Sequence, residues 1–324
     1  LFFICGLCAF VLNPIFTLPA VPLRIAGVII ESVPNFSEGR RPEVCEALAA
    51  AARSRGVTVL DLTSDPDHHR SVLTFAGEPR SVGEAAFAVA KKALELIDLT
   101  RHSGNHPRMG AIDVLPFVPL QGATMPDAVA LARSVGARIG LELALPVFLY
   151  EAAATRPERR NLADIRKPEF EGLRDLIGKD PARVPDFGPN RIHPTAGCVA
   201  VGARMPLIAF NIDLDTEDVA LAKKIARKIR ERDGGLPGIK ALGLPLPARH
   251  CAQVSMNVCD YTKTGLLDVY RAVEREAAAL GTGVRAGELI GLVPRAAFPE
   301  DGARALKLID FSPDRILESR LSSA

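Results

Sequence analysis

The sequence predicts an α/β protein made of two units of similar size, each an open sheet covered by helices. Short β-branched runs alternate with segments of helical periodicity, and several runs lie close enough in sequence to pair as hairpins. The chain has 324 residues, more than one hydrophobic core commonly supports, so two units are expected. Its 48% hydrophobic and 24% charged residues are those of an ordinary globular protein and not of a disordered one.

Residues 27–33 form an apolar strand that Pro34 stops, delivering the loop 34–39. A helix follows over 42–54, with Val44, Leu48 and Ala51 on one face. Residues 57–62 and 71–75 read as strands around the polar turn 64–70, and 81–96 as an alanine-rich helix. The run 112–118 is a strand ended by Pro119 and the Gly122 turn. Thr124 caps a helix reaching about residue 143, with Pro126 and Asp127 in its first turn. Residues 146–150 close the first unit as a strand. Residues 151–184 are charged and punctuated by proline, and read as a connector outside any core. The second unit opens with adjacent strands over 196–203 and 207–212. An amphipathic helix spans 217–230, its Lys and Arg residues on a solvated face. Strands over 239–244 and 251–258, a helix over 266–280 and a run over 288–293 complete it. The expected partition is an apolar leader over 1–25, a first unit with its connector over 26–184, and a second unit over 185–324.

A net charge of +2, with no basic arm and no aromatic stacking platform, points away from nucleic acid. The six cysteines form no disulfide framework, and reduced thiols in a cytoplasmic protein are expected. Cys5 and Cys8 lie in the leader without a second pair. Residues 1–23 carry no charge and contain Pro14, Pro19 and Pro22. Their apolar stretch over 1–12 is shorter than the roughly 20 residues a bilayer span needs, and no Lys or Arg precedes Arg24. The leader is therefore expected to be dispensable and to have no membrane role, a membrane or export role being the alternative.

The densest chemistry lies in Arg101-His102-Ser103-Gly104-Asn105-His106-Pro107-Arg108-Met109-Gly110. Gly104 and Gly110 permit unusual backbone angles and Pro107 fixes one, so the loop can aim an imidazole at a ligand. His106 is the candidate acid–base residue, because an ordinary histidine titrates near pH ~6.5. The competing reading is a turn histidine bonded to backbone. His102 and His106 have helical metal-ligand spacing, but Gly104 and Pro107 oppose a helix and no third ligand is close. Asp65-Pro66-Asp67-His68-His69-Arg70 is either a polar inter-strand turn or a rim of the same cleft, and it lacks the further aspartates a metal phosphoesterase needs. No metal is expected. The stretch 185–197 holds two glycines and three prolines, a loop of fixed course whose backbone can surround a flat heterocycle. Neither G-x-x-x-x-G-K-[ST] nor G-x-G-x-x-G occurs, which disfavours a nucleotide enzyme.

Three segments, Val33-Pro34-Asn35-Phe36-Ser37-Glu38-Gly39, His102 to Ala111 and Pro185-Asp186-Phe187-Gly188-Pro189, stand in a telling order. Together with Leu207-Ile208-Ala209-Phe210-Asn211 and Ala252-Gln253-Val254-Ser255, they resemble the glutamate formimidoyltransferase family. This is the formimidoyltransferase domain of formimidoyltransferase-cyclodeaminases, and the likeness runs from about residue 29 to about residue 296. The resemblance implies two ferredoxin-like subdomains, a folate cleft between them and a homodimer. It implies transfer of a formimidoyl group between N-formimidoyl-L-glutamate and N5 of tetrahydrofolate, a co-substrate, in histidine degradation and one-carbon metabolism. It implies no cyclodeaminase domain in this chain. His106 matches the family's catalytic histidine. The folate loop carries over to Gly188, Pro189, Asn190, Arg191, Ile192, His193, Pro194, Thr195, Ala196 and Gly197. The family's bifunctional members carry a different, more aromatic stretch there, which leaves individual folate contacts open. Bulky residues at Gly188 or Gly197 are expected to weaken folate binding and leave stability nearly unchanged.

The residues agree with that chemistry. One histidine can take a proton from the attacking nitrogen and return it to the leaving one. Glutamate brings two carboxylates, for which Arg108 is the nearest guanidinium in sequence; a structural role for Arg108 is the alternative. Two other functions remain: a related folate interconversion such as 5-formyltetrahydrofolate cyclo-ligase, which would require ATP, and a non-catalytic folate-binding module, which would not require His106.

Overall fold

The structure, a computed structural model, describes residues 27–66, 68–104 and 106–322; the leader, with Cys5 and Cys8, lies outside them. The first unit runs β1 (Ile30–Ser32), β2 (Asn35–Phe36), α1 (Pro42–Arg53), β3 (Thr58–Asp65), β4 (Arg70–Gly77), α2 (Pro79–Leu96) and β5 (Ile112–Pro119). It continues through α3 (Met125–Glu142), β6 (Val147–Glu151), α4 (Leu162–Arg166), α5 (Glu169–Leu176) and β7 (Val199–Ala203). Pro34 splits the first expected strand, because proline has no N–H to donate to a ladder. The halves β1 and β2 share one lane and each pairs antiparallel with both β4 and β5. Across the sheet the order is β3, β4, β1 and β2, β5, β7, β6, with β7 parallel to both neighbours.

Helices α1, α2 and α3 cover one face, where Phe36, Leu48, Phe75, Val89, Leu115, Phe117 and Ile139 are fully buried. Alanines dominate the inner face of α2, where Ala85, Ala86, Ala90 and Ala93 are buried, which lets the helix lie close to its neighbours and to the sheet. Thr124 caps α3 as expected, accepting the Asp127 N–H while the Asp127 carboxylate accepts the Thr124 N–H.

Two expectations need correction here. The stretch 151–184 is no loose connector: Ile165, Leu173 and Ile177 pack with Met109, Phe148 and Tyr150 on the other face of the sheet. Its helices of five and eight residues are too short for periodicity to announce. The boundary at 184/185 also moves, because β7 belongs to the first sheet and the second begins only at Ile208. Every residue of β7 is buried. A parallel strand between two others is apolar on both sides, so its sequence does not say which sheet receives it.

The second unit runs β8 (Ile208–Leu214), α6 (Val219–Ile229), β9 (Ile239–Leu246), β10 (Cys251–Val258), α7 (Leu266–Ala279) and β11 (Val284–Ile290). The order β11-β8-β10-β9, antiparallel throughout, is the βαββαβ ferredoxin-like arrangement. The first unit has the same arrangement through β5, extended by β7 and β6. Strand β11 starts four residues before the expected run. A register shift after Val284 begins it, and Val293 leaves the sheet to bridge Ile316.

After α8 (Gly302–Ala305), the chain returns to the first unit in α9 (Leu317–Ser322). Leu317 and Leu321 join Leu60, Ala76, Ile29 and Leu120 on the face opposite α1–α3. This contact fastens the two units together. Among the described residues, no helix is long and apolar enough to cross a membrane.

Candidate active site

Strands β4, β5, β6 and β7 all begin at one edge of the first sheet, where β2 and β3 end. The loops at that edge are the segments around 37–41, 66–69, 102–111 and 185–198. All three stretches singled out in the sequence therefore meet at one place, together with the Asp65–Arg70 turn.

The catalytic-loop and folate-loop candidates are laced by backbone. The Cys198 N–H donates to Met109 O (3.0 Å), Ala111 to Ala196 (2.9 Å) and Leu99 to Thr195 (2.8 Å). Gly104 and Gly110 serve by close approach and not by unusual angles, since neither has a positive φ. A Cβ on Gly110 would lie 1.9 Å from Cys198 O, and one on Gly104 2.6 Å from His68 O. Gly188 (φ 84°) and Gly197 (φ 71°) do occupy the left-handed region, and a Cβ there would meet Leu145 O at 2.6 Å and Met109 O at 2.2 Å. Substitution at either position must therefore strain the fold, which corrects the expectation of unchanged stability.

Within 188–197 the residues divide. Ala196 lies in the first core and Ile192 packs beside α4 and α5. The Ala196 N–H donates to His193 Nδ1 (3.0 Å). Asn190, Arg191 and Pro194 are exposed, while Pro189 and Thr195 are half-buried.

His106 is half-buried, and its Nδ1 lies 2.7 Å from Pro107 O. A carbonyl only accepts, so Nδ1 carries the proton and the Nε2 lone pair is left for chemistry. Burial, then the Arg70 and Arg166 guanidiniums, push its pKa down to about 4. Both arginines converge on Asp113, which is fully buried on β5. Burial would raise the Asp113 carboxyl, but Arg166, Arg70 and the Met109 N–H outweigh it and hold it below the usual range. Arg70 also donates to Asn35 Oδ1 through Nε (3.2 Å) and Nη2 (2.9 Å).

A second layer fixes the loop. The rings of His69 and His102 stack at 4.2 Å with 7° between their planes. Arg108 Nε donates to His102 Nδ1 (3.1 Å), so the His102 proton sits on Nε2 and goes to His69 O (3.0 Å). His69 Nε2 faces Glu38 Oε1 (3.2 Å), and Glu38 also accepts the Arg40 and Arg41 N–H groups before α1. His68 stands edge-on to His106, with ring centroids 6.2 Å apart. The Asp65–Arg70 turn is thus the rim of the His106 site.

Arg108 is 8% exposed, and its guanidinium donates to Glu171 (2.9 and 2.6 Å) and Glu169 (3.3 Å). Its structural reading is the one its partners support. The site residues that local sequence did not assign are Arg166, Asp113 and Arg70. Arg70 stood in a noted cluster, but Arg166 lies 60 positions from His106, and nothing local links them.

Residues 29–204 match the family model of the formiminotransferase domain, N-terminal subdomain, and 209–304 that of the formiminotransferase domain. The chain is 48% identical to a glutamate formimidoyltransferase of Streptococcus pyogenes serotype M1, over 90% of this chain and 98% of that one. It is 44% identical to one of Thermoplasma acidophilum, over 91% and 98% respectively. A formimidoyltransferase-cyclodeaminase of Rattus norvegicus is 42% identical over 82% of this chain, which spans half of that protein. With its two ferredoxin-like units and a loop-built histidine site, this chain belongs to the formiminotransferase family.

Proposed function

We propose that the chain is a glutamate formimidoyltransferase, moving the formimidoyl group between N-formimidoyl-L-glutamate and N5 of tetrahydrofolate. The observation that carries the reading is His106, held by its Nδ1 with no partner for Nε2 among the described residues, on a loop bonded to the segment 193–198. In the folate-forming direction, N5 attacks the formimidoyl carbon, which becomes tetrahedral. His106 Nε2 takes the N5 proton and gives it to the glutamate nitrogen as the carbon–nitrogen bond to glutamate breaks. Nothing in that sequence needs a covalent enzyme intermediate.

Folate is assigned to the loop 188–197, with its exposed Asn190 and Arg191 offered to the ligand. The glycines and Ala196 set the course of that loop. The ligand's extension towards the second unit, a homodimer and a cytoplasmic location belong to the same proposal. The test is direct: purified protein with tetrahydrofolate and N-formimidoyl-L-glutamate, followed by absorbance and mass spectrometry. Transfer is expected in excess chelator and without ATP. Strict ATP dependence would favour the cyclo-ligase, and tight folate binding without turnover the non-catalytic module.

A further inference from the structure

Asp113 receives more positive charge than it can offset. Its Oδ1 accepts the Met109 N–H (2.8 Å), and its Oδ2 lies 2.8 Å from both Arg70 Nη1 and Arg166 Nη2. Arg70 is spent, because its remaining contacts go to Asn35. Arg166 is not. It closes α4 with only the Asp113 ion pair, and its buried Nε has no hydrogen-bond partner among the described residues. A buried N–H of a guanidinium left without an acceptor is costly, and the arrangement suits an incoming anion. The α4–α5 segment is tied to the catalytic loop by the Phe170 N–H donating to Arg108 O (2.9 Å).

We propose that Arg166 anchors the α-carboxylate of the glutamate-derived substrate, a reading that rests on the transferase assignment above. The α-carboxylate is chosen because it shares a carbon with the reacting nitrogen. A group holding it must stand near the base, and Arg166 is near enough to His106 for its charge to act on the ring. A guanidinium fork with a free Nε matches a carboxylate in two parallel bonds. Binding would also neutralise charge around His106. The groups facing that imidazole are Arg70 of β4, Asp113 of β5, Arg166 of α4, His68 of the preceding turn and its own Pro107 carbonyl. An added carboxylate makes the imidazole more basic, so the base strengthens once the amino acid is seated.

Two measurements test this. The first follows the His106 ring resonances by NMR against pH in the wild-type protein. Saturating L-glutamate should raise the midpoint, whereas 4-aminobutanoate, which keeps the amine and the distal carboxylate but lacks the α-carboxylate, should not. Equal shifts with both ligands, or none with either, overturn the proposal without any variant. The second is kinetic: Arg166→Gln and Arg166→Lys should raise KM for N-formimidoyl-L-glutamate by roughly 10- to 100-fold, the usual cost of losing a charged hydrogen-bond partner. KM for tetrahydrofolate should hold. An unchanged amino-acid KM in either variant overturns the assignment. A wild-type protein that shows the glutamate-dependent shift yet transfers nothing would sink the transferase reading and leave the carboxylate site standing.

Discussion

The chemistry of His106 depends on which of its nitrogens is committed. Nδ1 is spent on Pro107 O, and burial, reinforced by the Arg70 and Arg166 guanidiniums, keeps the ring neutral at physiological pH. A neutral imidazole can accept a proton from the attacking nitrogen, and the resulting imidazolium is a strong donor to the leaving one. His106→Ala is therefore expected to lower turnover by about 10²- to 10⁴-fold. Folate affinity and melting temperature should change little, since the ring is half-buried and its one hydrogen bond among the described residues is to its own neighbour. Steady-state kinetics beside folate titration checks this, and wild-type turnover in the folded variant would remove His106 from the mechanism. His106 stands out in the sequence as a candidate because its loop is dense in Gly, Pro and Arg. Arg166 does not, because its position near His106 is made by the packing of α4 and not by any spacing.

Among the elements, the strands and helices with strong periodicity were legible to within a few residues. β10 falls on 251–258 as read, and α3 starts where Thr124 and Asp127 cap it. What failed was tertiary. β7 is apolar on both faces and could have entered either sheet, and α4 and α5 are too short to show a period. The glycines of the candidate folate loop belong to the same lesson. Composition said that the loop bends, but only the fold shows that Gly197 bends against Met109 O and Leu99. Gly197→Ala must hold φ near +71° and place a methyl 2.2 Å from a carbonyl oxygen. The backbone between the two loops has to part, at a cost of roughly 1–3 kcal/mol. Thermal melts of the unliganded protein should show the loss, and activity should fall with it, because the same bonds seat the His106 loop. A variant with wild-type melting and weakened folate binding would mean that the glycine serves the ligand directly.

On the scale of the whole molecule, Glu31 reports how the two units are fastened. It lies on β1 opposite Ala76 and Val118, on the face that Leu317 and Leu321 cover, and it is 6% exposed. Burial raises its pKa to about 7; Arg204 opposes the rise and Glu318 of α9 adds to it. The sign of the consequence follows from proton counting. Between the unfolded value near 4.5 and the folded value near 7, the folded protein binds more protons, so stability falls as pH rises through that window. His106 pulls the other way, its lowered pKa making stability fall as pH drops from 6.5 towards 4. The raw pH profile therefore mixes the two, and a variant is needed to separate them. Glu31→Gln removes the buried charge and should stabilise the protein at pH 8 by on the order of 2 kcal/mol, with most of that gain lost at pH 5 and the rest below the unfolded value near 4.5. Denaturant unfolding at both pH values measures it; an equal effect at both would show that Glu31 stays ionised throughout. Because α9 supplies part of the cover, Leu317→Ala should readmit water to Glu31 and shrink the pH 8 gain in the double variant. Full additivity of the two changes would mean that the second unit does not set the environment of Glu31.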